Sequence, residues 1–266
     1  WNADQVLGSQ VGEGVPPADL DGAYNVTYRY PFAAKTGDEL VPLQVTLPNP
    51  ATAPAELMGA TCANVRDNSG YPVVMYVHGI TSDRTSVMAL GHTLASKCVA
   101  TVAIDLPVHG VPANSNFAAA LNVENSALID FSALYGEDFH ERHFNVVQGA
   151  TGNPALMNFD NPTAQDGSGA WFINLANLGN TRDNLRQSVM DLMNLNASLQ
   201  AISDLDIATN GTLDTDNVTV VGASLGAIVG SVFTTVNQIA IGNDMSFGSN
   251  LNPIKGLVAS VGGTQL

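Results

Sequence analysis

Short unbroken apolar runs alternate with stretches of helical period through most of the chain. Val73–Val77 and Val99–Ile104 are such runs, and the second ends at Asp105-Leu106-Pro107. Val218–Val221 and Leu257–Val261 repeat the pattern. Runs this short and this apolar predict strands buried on both faces. Between them the period changes. Residues 84–97 carry Val87, Leu90 and Leu94 on one side, and Leu185, Val189, Leu192, Leu199 and Ile202 recur at helical spacing. Asn180 or Thr181 is the expected cap of that second helix. Residues 225–237 predict a third helix. Buried strands alternating with helices imply an α/β fold with a doubly wound, mostly parallel sheet.

The N-terminal part reads differently. Residues 1–22 form a lead-in without periodicity, so the core is expected over 23–266. Ala23–Tyr30 alternates, Lys35–Asp38 carries turn residues, and Leu40–Leu47 is a second β-like run. Together they predict an N-terminal hairpin. Residues 48–70 read as loop. Residues 111–179 are an insertion that the alternation does not need, and long insertions in compact domains are usually functional. This one holds 8 of the 17 aromatics: Phe117, Phe131, Tyr135, Phe139, Phe144, Phe159, Trp171 and Phe172. The expectation is a cap or lid over an apolar site, with a small satellite core as the alternative.

Composition narrows the function classes. Apolar residues make up 45% of 266 positions, enough for a sizeable core. Charged residues are only 12%, with 24 acids against 9 bases and a net charge of −15. Such a surface repels phosphate, so no nucleic-acid partner is expected, and electrostatic docking to anionic lipid is disfavoured. No run of about 18 uninterrupted apolar residues occurs, so no transmembrane segment is expected. The chain starts at Trp1 rather than Met, which suggests a processed chain whose export signal cannot be read. The even pair Cys62 and Cys98, with few lysines, suits one disulfide in an oxidising compartment; two buried thiols are the alternative. No Cys/His cluster has zinc spacing.

The sharpest chemical signal is Gly222-Ala223-Ser224-Leu225-Gly226, a G-x-S-x-G between a predicted strand and a predicted helix. On such a turn the serine hydroxyl is exposed above the sheet, Gly222 and Gly226 let strand and helix approach, and helix N-terminal amides face the same spot. Ser224 is therefore the candidate nucleophile. When such a serine attacks a carbonyl, one amide for the developing oxyanion comes from the next residue and another from a loop after an earlier strand. Here those are the N–H groups of Leu225 and Ile80, with Thr81 a weaker candidate. His78 and Gly79 precede Ile80. His78 is expected to shape this loop rather than act as a base.

The order Val77-His78-Gly79, then Ile104–Gly110, then Gly222–Gly226 resembles the α/β-hydrolase superfamily over about residues 72–262. Arg182–Leu192 and Val220–Gly230 further resemble bacterial extracellular lipases of the virulence-factor type. The resemblance implies carboxylic-ester hydrolysis of a lipid or other ester substrate, outside the cell or at the bacterial cell surface. A lipase or lysophospholipase is the first reading; a thioesterase or peptidase keeps the fold and changes the bond.

One departure stands out. The superfamily runs Ser, then Asp or Glu, then His along the chain. Here His78, His92, His109, His140 and His143 all precede Ser224, and Asp244 is the single acid after it. The expectation is therefore a catalytic core lacking its C-terminal part, completed by a C-terminal fragment of the same protein that carries base and acid. Otherwise the chain is an inactive or partner-binding scaffold, or a rewired triad draws on His140 or His143. Asp105 and His109 are expected to fix the loop after the second strand, and Asp83-Arg84 to start a helix. No cofactor is expected. The run Asp204, Asp206, Asn210, Asp214, Asp216 offers oxygen ligands for calcium, but reads better as a polar turn without EF-hand spacing.

Overall fold

A computed structural model describes residues 39–131, 133, 139–175, 177–205, 212–243 and 250–261. The chain divides into two units, Trp1–Leu40 and Val41–Leu266, and the described fold belongs to the second. The predicted strand Ala23–Tyr30 and the lead-in lie outside the described residues.

Five strands make one sheet: β1 (Leu43–Thr46), β2 (Tyr71–Val77), β3 (Ala100–Ile104), β6 (Leu213–Ala223) and β7 (Ile254–Ser260). Their order is β1-β3-β2-β6-β7. β2, β3, β6 and β7 run parallel, and β1 is an antiparallel edge on β3, with Leu43 opposite Ile104. The sheet is thus mixed and mostly parallel. The predicted run Leu40–Leu47 is β1, and its described neighbour is β3.

Helices close the layers. α1 is Cys62–Ser69, a 3-10 turn Arg84–Val87 leads into α2 (Met88–Ala95), α3 is Ala118–Leu121, α4 is Leu178–Asp204 and α5 is Leu225–Gly242. From β2 the chain crosses through α2 to β3 on one side; from β6 it crosses through α5 to β7 on the other. Right-handed crossovers in opposite directions put their helices on opposite faces. The core divides accordingly. Val73, Met75 and Val77 pack with Leu192, Leu199, Val229 and Phe233 of α4 and α5, whereas Tyr76 packs with Val87 and Ala103. Strand alternation sends neighbouring residues of β2 to the two faces. The stripe Leu185, Val189, Leu192, Leu199 and Ile202 faces the larger core, as its spacing predicts.

Several boundaries differ from expectation. α1 lies inside 48–70, expected to be loop. Its start is held by a local bond, Thr61 N–H to the Asn64 side-chain oxygen at 2.7 Å, which apolar periodicity does not reveal. The cap of α4 is Asn177, whose side chain accepts from Asn180 N–H, while the Thr181 hydroxyl is drawn to Asn174. The predicted helix 84–97 starts as a tight turn capped by Asp83 and ends at Ala95, leaving Leu90 exposed. Within 111–177 the described elements include α3 and a hairpin, β4 (Val146–Gln148) with β5 (Pro154–Leu156).

α5 is the one described helix long and apolar enough to cross a membrane. Leu225, Val229 and Phe233 on it are buried against the sheet.

Cys62 and Cys98 are joined by a disulfide that ties the start of α1 to the turn before β3, which begins at Ala100. The bridge closes a loop with a sequence separation of 36. Loop entropy alone then contributes about 4 kcal/mol through the unfolded chain. Replacing both cysteines by alanine is expected to lower the unfolding free energy by that order, read from urea titration against the oxidised protein; an unchanged free energy would contradict the entropic account.

Candidate functional site

The strand order reverses between β2 and β6. From β2 the chain leaves toward β3 and from β6 toward β7, so the carboxyl ends of these two neighbours are the switch point at which doubly wound sheets form a crevice. The loops that meet there are His78–Thr81 after β2 and Ser224 after β6.

Ser224 sits between β6 and α5 with φ 52° and ψ −117°. That is unusual for a residue with a side chain, and strain of this kind is held only where surroundings over-determine it. Its surroundings do. Ser224 N–H donates to Ser260 O of β7 at 2.8 Å, and Ser224 O accepts from Ala227 N–H and Ile228 N–H as α5 begins. The two elbow glycines leave no room for a methyl group. A Cβ on Gly226 would lie 2.1 Å from Val77 O, and one on Gly222 would lie 2.3 Å from Gly226 O. Gly79 approaches from the other side less closely, since a Cβ there would stand 3.3 Å from the Ser224 Cβ. The structure thus brings Ser224, Gly79, Gly222 and Gly226 together as the sequence pattern requires.

The amides follow from this packing. Leu225 and Gly226 open α5, where N–H groups have no acceptor within the helix. Thr81 N–H, by contrast, donates to His109 Nε2 at 3.3 Å, which takes it out of contention as an oxyanion donor. Leu225 follows Ser224 in the chain, and Ile80 follows Gly79, which packs against Ser224.

His78 is fully buried and bonded at both ring nitrogens. Nδ1–H donates to Gly79 O at 2.8 Å, and Nε2 accepts from Leu106 N–H at 3.0 Å. Burial lowers its pKa against the pull of Asp105, so the ring is neutral and tethers two loops. His109 is likewise bonded at both nitrogens, with Nδ1–H on Pro107 O at 2.9 Å. Burial, with His78 beside it, pushes its pKa down to about 3. His143 sits between Val111 O and Asn145 N–H. The His140 ring lies on Phe144, and its Nδ1 is 3.1 Å from Glu141 O. His92 lies on the exposed side of α2. Among the described residues none of the five histidines bonds the Ser224 hydroxyl.

Sequence reasoning missed the group that holds the insertion to this site. Arg84, buried, bonds Asp105 with its Nη1 and its backbone N–H, and reaches both oxygens of Glu141 at 2.8 Å and Leu121 O at 2.7 Å. Glu141 also accepts from Val111 N–H and Val123 N–H. Arg142 bonds Asp105 O and, at 2.7 Å, Asp191 on α4. Burial pushes the Asp105 carboxyl up, yet the Arg84 guanidinium beside it, with its hydrogen bonds, holds it below its usual range. The triplet Glu141-Arg142-His143, three polar residues in a chain poor in charge, was the available signal.

The aromatics of the insertion do not share one role. Phe172 is buried in the main core, Phe159 joins a small cluster of Ala113, Val147 and Met157, and Phe117 and Phe144 are exposed. Tyr135 lies outside the described residues. Val123, Leu128, Ile129, Phe131 and Phe139 line a cleft of about 640 Å³ to which neither the elbow nor the His78–Thr81 loop contributes. Among the described residues no group of three His, Cys, Asp or Glu is placed to hold a metal. Of the calcium candidates Asp206 and Asn210 lie outside them, while Asp204 and Asp214 accept bonds from their own neighbours, Gln200 and Asp216. No protein-family model matches the chain, and no curated protein is significantly similar to it.

Two outcomes follow from these contacts. Gly226→Ala forces a methyl group onto the carbonyls of Val77 and His78, so it is expected to cost several kcal/mol. Gly242→Ala, in open space at the end of the same helix, is expected to be neutral or stabilising by up to about 1 kcal/mol. Urea titration of both variants compares them directly.

The second concerns Asp83, which caps the turn before α2. Burial pushes its carboxyl up to about 6, against the bonds from Thr85 that lower it. A carboxyl that holds its proton longer in the folded than in the unfolded protein adds stability below its unfolded value of 3.8. That stability is lost as pH rises through about 6. Asp83→Asn keeps an acceptor for Thr85 and carries no charge. It should gain up to about 3 kcal/mol on wild type between pH 4 and pH 7. Stability curves that stay parallel over that interval would contradict the assignment.

Proposed function

We propose that this chain is the nucleophile-bearing part of a serine carboxylic-ester hydrolase of the α/β-hydrolase type, a lipase or lysophospholipase. The observation that carries the reading is the strained Ser224 turn at the sheet's reversal point, packed against Gly79. In the proposed mechanism the Ser224 hydroxyl oxygen attacks the ester carbonyl. The N–H groups of Ile80 and Leu225 bind the oxyanion as it forms, and the alcohol leaves as the acyl-serine is made. Water then hydrolyses the acyl-enzyme. The insertion 111–179 is proposed as the cap that covers the acyl chain.

The base and acid are proposed to come from a further segment of the same protein, the C-terminal fragment expected from the departure in residue order. Support comes from β7, whose outer side carries no strand among the described residues. Leu257 and Val258 there are exposed, as are Val232, Val236 and Ile239 on α5. The disulfide supports an oxidising compartment, outside the cell or at the bacterial surface. A second reading, an inert or partner-binding scaffold, is favoured by the absence of any imidazole bonded to Ser224 among the described residues.

A fluorophosphonate probe on the full-length protein separates the two. Labelling at Ser224, lost with ester turnover in Ser224→Ala, is the expected result. Labelling of another serine, or full turnover in the variant, would overturn the hydrolase reading; no labelling at all would favour the scaffold.

A further inference from the structure

We propose that His109 is a positioning residue for the Ile80 amide: its ring clamps the peptide plane that follows Ile80, as His78 clamps the plane that precedes it. The proposal rests on the hydrolase reading above, in which Ile80 N–H binds the oxyanion.

The geometry is explicit. Ile80 N–H belongs to the same peptide plane as Gly79 C=O, and that oxygen accepts from His78 Nδ1–H at 2.8 Å and from Ser82 N–H at 3.2 Å. The next plane carries Thr81 N–H, which donates to His109 Nε2 at 3.3 Å. With both planes held, the backbone at Ile80 has little rotation left, and its N–H points in one direction. The second clamp is needed because Thr81 has φ 58°, a left-handed conformation costly for a β-branched residue.

His109 is built to be an acceptor at this place. Its Nδ1–H is committed to Pro107 O at 2.9 Å, which leaves Nε2 bare. The ring is buried between the His78 ring, 4.8 Å away, and the Phe172 ring, 5.4 Å away. Gly169 of the insertion makes room for it, since a Cβ there would lie 2.1 Å from Nε2. The burial that keeps the ring neutral also keeps Nε2 free to accept. A residue of the insertion, Phe172, and a glycine of the insertion thus bear on the direction of an amide at the crevice.

Three measurements on the full-length protein test this. In wild type, nitrogen NMR should find His109 Nε2 unprotonated, with coupling across a hydrogen bond to the Thr81 amide. His109→Leu removes the acceptor and is expected to lower kcat for a p-nitrophenyl ester about tenfold to a hundredfold, with KM little changed. His109→Gln offers a side-chain oxygen in place of Nε2 and is expected to recover most of kcat. A protonated Nε2, a Gln variant as slow as the Leu variant, or a loss confined to KM would overturn the proposal. If the Leu variant does not fold, the Gln variant and the wild-type coupling decide. Turnover that survives in Ser224→Ala sinks the hydrolase reading instead, and leaves the NMR result to judge the clamp itself.

Discussion

The buried guanidinium of Arg84 is the constraint on which the rest of the described fold turns. An ion out of water is tolerated only when its charge and its donors are met, and Arg84 meets both through Asp105 at the end of β3, Glu141 of the insertion and a carbonyl of α3. The partners lie 21 and 57 residues away in sequence. The loop after β2, the loop after β3 and the returning insertion are therefore fixed relative to one another. Gly110 shows how tight the arrangement is, because a Cβ there would lie 2.5 Å from Glu141 Oε2. Two of the chain's nine bases, Arg84 and Arg142, are buried in this way, together with the carboxylates of Asp105 and Glu141 that meet Arg84.

The crevice inherits its order from that knot. Asp105 binds the backbone of Arg84, His78 binds the backbone of Leu106, and His109 binds the backbone of Thr81. Each bond links the loop after β2 to the loop after β3. On the other side, the elbow is held by close main-chain contact: Gly226 against the carbonyl of Val77, and Ser224 N–H on β7. Polar side chains set one wall of the crevice and steric closeness sets the other. A preorganised pair of amides is the kind of feature such a frame can hold, since donors fixed before the reaction cost no reorganisation when charge develops.

The insertion belongs to this frame more than its irregular backbone suggests. Phe172 enters the main core, Ser168 donates to Gly110 O at 2.8 Å, and Asn184 of α4 reaches Phe172 O. Elsewhere the insertion carries the cleft lined by Val123 to Phe139 and a small apolar cluster around Val147 and Met157.

Much of the architecture was legible in the chain alone. Strand and helix periods depend on local side-chain direction, so Val73–Val77, Val218–Val221 and the Leu185–Ile202 stripe announce their faces. The glycines of Gly222–Gly226 announce a close approach before any partner is known, and the even cysteine pair left a Cys62–Cys98 bridge and two buried thiols both open, which the structure settles as a bridge. The tertiary structure decided the rest, for one physical reason. A polar or charged group reveals nothing in sequence about which distant partner will satisfy it. Helix α1 begins on an Asn64 bond, and α4 is capped at Asn177 rather than at Asn180 or Thr181. The β1 edge lies on β3, and Glu141 pairs with Arg84. Each is settled by which unsatisfied groups meet when the layers close, and pattern along the chain carries no record of that meeting.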